Sequence, residues 1–151
     1  MESQHLVNQL NDLIETAKDG EYGFTRCAEH ARSEAIRALF TRRAQDCHAA
    51  AAELQNIVRD YGGKPDEGGS ASGALHRGWV AVLGTIAGDS DKRMLEEAER
   101  GEDSALARYR KVLRDESLPP LVRGIIERQM DGVQRNHDQV RQLRDVARAE
   151  A

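Results

Sequence analysis

The sequence predicts an all-α protein, a four-helix bundle whose second and third helices are joined by a long crossover. Three observations carry that expectation. Apolar residues recur at spacings of three and four over four long stretches. The three prolines fall at positions 65, 119 and 120 and leave those stretches unbroken. The link from residue 62 to residue 89 is far longer than the short turn an up-down-up-down bundle would need there.

The first helix is expected from His5 to Ala31, with Leu6, Leu10, Leu13, Ala17, Phe24 and Ala28 on its apolar stripe. Gly20 and Gly23 weaken it by roughly 1 kcal/mol each relative to Ala. Ser33 reads as the N-cap of the second helix, with Glu34 favouring the dipole in its first turn. That helix carries Ile36, Phe40, Arg43, Cys47, Ala50, Leu54, Ile57 and Tyr61 along one face. Gly62-Gly63 ends it and Pro65 prevents its resumption. GGKPDEGGSASG, from Gly62 to Gly73, is a loop by composition. A short fifth helix, Ala74 to Ala87, then packs Trp79 across the bundle, with Asp89 or Ser90 capping the next helix.

The third helix is expected from Asp91 to Glu116, with Leu95, Ala98, Glu102, Ala105, Tyr109 and Leu113 in its stripe. Leu118-Pro119-Pro120 breaks the chain, and Pro120 suits a helix first turn. The fourth helix, about Leu121 to Ala147, presents Val122, Ile126, Gln129, Val133, His137 and Val140. The whole, residues 1–151, reads as a single domain large enough for a real core.

Composition narrows the function classes. Hydrophobic residues at 39% and charged residues at 32% suit amphipathic helices rather than disorder. A net charge of −4 with interspersed acids argues against nucleic acid as a partner. The longest apolar run, Trp79 to Leu83, is too short to span a bilayer, and MESQHLVNQLND has no apolar leader. Hairpin spacing puts Cys27 and Cys47 roughly 15 Å apart along the axis, beyond disulfide reach. Two reduced thiols in a cytoplasmic protein is the expectation.

Chemistry concentrates in the third and fourth helices. Glu102 is a carboxylate in an apolar seam, with Glu99 one turn before it. Folding the chain about Ser117 to Pro120 puts His137 level with Glu99 and Gln134 level with Glu102. A Glu-x-x-Glu facing a Gln-x-x-His resembles part of a carboxylate-bridged di-metal site. In the first hairpin, Glu21 continues the apolar rhythm and Arg43 stands level with it. Glu21 either snorkels to solvent or pairs with Arg43, which competes with any metal role for it. Cys47 and His48 are neighbours about 100° apart on their helix, so they form no nucleophile–base pair. His76-Arg77 suit an anion only if Trp79 is more than an anchor.

LNDLIE (Leu10 to Glu15), DGEYGF (Asp19 to Phe24), GSASGALHRGW (Gly69 to Trp79) and EEAERGEDSAL (Glu96 to Leu106) together resemble an uncharacterised family of bacterial four-helix-bundle proteins, a domain of unknown function within the ferritin-like fold. The resemblance runs from about residue 6 to residue 145. It implies a ferritin-like bundle with the crossover at 62–89, and no established activity.

The ferritin-like metal pattern takes a Glu from two helices and a Glu-x-x-His from the two others. No Glu-x-x-His occurs in this chain: Gln134 precedes His137, and Asn56 follows Glu53. The reading is therefore a non-enzymatic protein of unknown function with a degenerate metal site. Glu21, Arg43 and Gln134 join Glu99, Glu102 and His137 in a polar core network, with no cofactor. The alternative is a stress-related metal-binding protein holding iron, manganese or zinc at Glu99, Glu102 and His137. An active oxidase or peroxidase lacks its ligands. The exposed alanines of the second helix suit a homodimer, and an unknown protein partner is compatible with the same surface.

Overall fold

The computed structural model describes residues 2–67 and 91–150. The expected fifth helix at 74–87, its Trp79 and the Asp89 or Ser90 cap lie outside them. Among the described residues there are four helices: α1 Glu2–His30, α2 Glu34–Asp60, α3 Asp91–Leu113 and α4 Pro120–Glu150. No helix among the described residues is long and apolar enough to cross a membrane.

The helix ends follow from their sequences. Ser33 Oγ accepts the Ile36 amide at 3.3 Å and caps α2. Gly62 takes φ 75°, and its amide and that of Gly63 satisfy the carbonyls of Arg59 and Val58. At the end of α3, Arg123 donates to the carbonyls of Leu113 and Asp115. Asp115 Oδ1 accepts both the backbone amide and the hydroxyl of Ser117. Pro120 opens α4, where its missing N–H costs nothing.

Cross-helix contacts set the topology. Gln9 reaches Asp115, Arg108 reaches Thr16 and Asp12, and the amides of Arg32 and Ser33 donate to Asp91. Helices α1 and α3 are thus antiparallel. Arg42 pairs with Gln139 and Glu53 with Arg128, so α2 and α4 are antiparallel as well. It follows that α2 and α3 run parallel. The end of α2 lies beside the start of α1, where a Cβ on Gly63 would meet Val7, while α3 begins beside Ser33 at the other end. A 27-residue helix is about 40 Å long, so the end of α2 and the start of α3 lie about that far apart, as the expected crossover requires.

Among the described residues the buried apolar side chains form two clusters. One holds Leu10, Leu13, Ile14, Leu54, Val58, Leu106 and Ile126. The other, at the far end, holds Phe24, Phe40, Leu39, Leu95, Ala98 and Val140. Phe24 and Phe40 pack with ring centroids 5.8 Å apart. Each cluster excludes water along one end of the bundle, and a polar layer separates them.

Candidate functional site

Polar residues from three helices meet in the layer between the two clusters. Glu102 on α3 is 2% exposed, and Arg43 on α2 places Nε 3.3 Å from its Oε2. Asn136 on α4 donates to the same oxygen at 3.3 Å. The Arg43 guanidinium also lies 5.7 Å from the centroid of the Phe24 ring, within cation–π range. Burial raises the Glu102 carboxyl above the ordinary glutamate range, while Arg43, Asn136 and His137 pull against that rise. Burial lowers the Arg43 guanidinium, but Cys47, Glu102 and Asp46 outweigh it, and the net direction is upward. Arg43 therefore stays a cation in the core.

A second polar chain runs about two turns away along α3 and α4. Tyr109 Oη donates to Gln129 Oε1 at 2.8 Å, and Gln129 Nε2 donates to Glu53 Oε1 at 2.7 Å. Arg128 closes on the other Glu53 oxygen at 2.5 Å. Between these two sets lies a cavity of about 510 Å³ lined by all four helices. Small residues make the space, among them Ala17, Gly20, Ala50, Gly101, Ala105 and Gly132. Cys47 Sγ approaches Gly20 so closely that a Cβ there would stand 2.9 Å from it. Burial pushes the Cys47 thiol up to about 12, and the Cys27 thiol likewise; both cysteines are free.

The other sequence-predicted residues have partners of their own. Glu99 is ion-paired with Arg144. His137 is buried with Nε2 2.6 Å from Asp103 Oδ1, off the line of an aligned hydrogen bond. Glu21 is half-buried and reaches His48 at 3.0 Å and Lys18 at 3.8 Å, and Gln134 bonds Arg110 and Asp138. Arg43 and Glu102 come together; Glu21 and Gln134 stand outside that contact. Asn136, beside His137 in sequence, takes the place next to Glu102 that backbone level gave to Gln134.

The shift has one cause in both hairpins. Side chains lean toward the N-terminus of their own helix. In an antiparallel hairpin the incoming helix therefore leans away from the turn and the outgoing helix toward it. Contact partners on the outgoing helix sit farther from the turn than backbone level implies. Glu21 meets His48 instead of Arg43, and Glu99 meets Arg144 instead of His137.

The donor set does not fit a di-metal centre. Two divalent cations require several free carboxylates, and here a guanidinium already occupies the carboxylate best placed to bridge them. Among the described residues no three His, Cys, Asp or Glu side chains converge as metal ligands.

Paired antiparallel helices, a parallel α2–α3 pair and a polar layer at mid-height define a ferritin-like four-helix bundle. The family model described as a domain of unknown function (DUF2383) matches residues 5–115, and the chain belongs to that family. Among solved structures it is similar to a dodecameric thioferritin, the bacterioferritin-related protein from Bacteroides fragilis. The two share 16% identity at a TM-score of 0.76, over 98% of this chain and 89% of that one. No curated protein matches.

Proposed function

We propose that this chain is a non-enzymatic ferritin-like protein whose centre is held by an ion-pair network in place of a metal pair. The observation that carries the reading is the Arg43 guanidinium against Glu102 in the buried layer. A fixed cation there stabilises the carboxylate and repels a second cation. The likeness to a thioferritin supports the fold, and iron chemistry at Glu99, Glu102 and His137 is the competing reading. Metal analysis of untagged protein, after anaerobic addition of ferrous iron and gel filtration, separates the two. The proposal expects less than about a tenth of an equivalent per chain. A stoichiometric metal lost in Glu102→Ala would overturn it.

The solved neighbour is described as a dodecamer, which supports self-association here too. Ala35, Ala38, Ala49 and Ala52 lie exposed on α2 and permit close approach of a second copy. Sedimentation analysis tests this: the proposal expects a dimer or larger assembly and fails if the chain stays monomeric at high concentration.

A further inference from the structure

The central cavity holds a guanidinium with donors to spare. Arg43 is 7% exposed and lines the cavity, yet its one hydrogen bond among the described residues runs from Nε to Glu102. Its two terminal nitrogens donate to no described group. A buried guanidinium edge normally finds acceptors, and the hollow that Arg43 lines has room for them. The free edge of two parallel N–H groups matches a carboxylate held by both oxygens.

The charges around the cavity limit what it can admit: four arginines and four acids line it. Of its other arginines, Arg108 is paired with Asp12 and Arg128 with Glu53, whereas Arg135 has no acidic partner among the described residues. Asp46 is exposed at the mouth, Asp19 is buried in the wall, and Glu102 and Glu53 are paired with arginines. A dianion such as phosphate would meet four carboxylates at close range and is disfavoured. Part of the remaining wall is apolar and small, formed by Ala17, Cys47, Ala50, Ala105 and Val133, while Thr16, Ser104, Tyr109 and Gln129 add polar groups. A hollow of this size falls in the range of small-molecule sites, which pair mostly apolar walls with a few placed polar groups.

We infer that the cavity binds a small organic monocarboxylate, its head on the free edge of Arg43 and its apolar body along the alanine-lined wall. The inference rests on the metal-free reading above, because Arg43 must remain in the centre to hold the head.

Isothermal titration with octanoate, octylamine and inorganic phosphate tests it on the full chain, with metal content measured on the same sample. The expected result is one octanoate per chain, with the amine and phosphate at least about tenfold weaker. Arg43→Lys keeps the charge but loses the two-pronged edge, and Ala105→Leu fills the hollow without touching Arg43. Each is expected to weaken octanoate about tenfold or more while circular dichroism remains helical. Should Arg43→Lys unfold, Ala105→Leu decides alone.

The inference is overturned if octanoate does not bind or if octylamine or phosphate binds as well. Full affinity in a folded variant overturns it too. Failure of octanoate on metal-poor protein removes this inference alone, whereas stoichiometric metal removes the reading beneath it.

Discussion

Replacing Arg43 with Met isolates the contribution of the buried cation. Methionine is of similar length and apolar, so it fills the place of the stem beside Phe24 without restoring charge. Glu102, 2% exposed, is then left with the Asn136 amide and no cation. Breaking a buried pair by removing one partner costs about 3–5 kcal/mol. Against a typical total of roughly 5–15 kcal/mol this is a large share of the fold's stability. Urea denaturation followed by far-ultraviolet circular dichroism measures it.

The double variant Arg43→Met/Glu102→Leu removes both charges and is expected to return to within about 1 kcal/mol of the parent. The deficit of the single variant also depends on pH. An unfolded glutamate titrates near about 4.3, and burial raises Glu102 above that. Losing Arg43 raises it further. A raised folded value means the folded state binds the extra proton, so stability recovers as pH falls from 7 toward the unfolded value. The deficit should therefore shrink with acid. A single variant within about 1 kcal/mol of the parent, or a double variant no better than the single, would refute the reasoning.

Three further outcomes follow from named contacts. Gly20→Ala should destabilise by about 1–3 kcal/mol despite the better helix propensity, because the new Cβ meets Cys47 Sγ at 2.9 Å. Thermal melts check this, and adding Cys47→Ala should recover the loss. Asp115 is held down to about 2, chiefly by the Ser117 hydroxyl and amide, then Gln9. Its contribution is present above the unfolded aspartate value and lost as pH falls through the folded one, so Asp115→Asn should flatten the acid limb between those two values. Cys27 and Cys47, both buried with thiols raised to about 12, should resist Ellman's reagent in the native state and react fully in denaturant.

The helices were legible because their signals are local. Ser33, Gly62 and Pro120 mark ends through capping chemistry, and a three-four rhythm requires no knowledge of partners. The crossover was legible from length alone. Which polar residues meet was not. Arg43 and Glu102 lie on helices that are not consecutive, and no spacing rule connects α2 to α3. Within each hairpin, backbone level misses the lean of the side chains, which carried Glu21 to His48 and Glu102 to Asn136. Thr16, Asp19, Glu97 and Asn136 are also buried. They flank the apolar stripes, and only a wider stripe at the bundle centre would have marked them. Leu121, 84% exposed beside Pro120, is the converse case.

The central claim concerns what neutralises Glu102. A crystal structure of the protein grown anaerobically with excess ferrous iron, with anomalous data at the iron edge, tests it most directly. The account predicts the Arg43 guanidinium in contact with Glu102 and no anomalous peak in the polar layer. A peak beside Glu102 and His137, with Arg43 turned away, would contradict it.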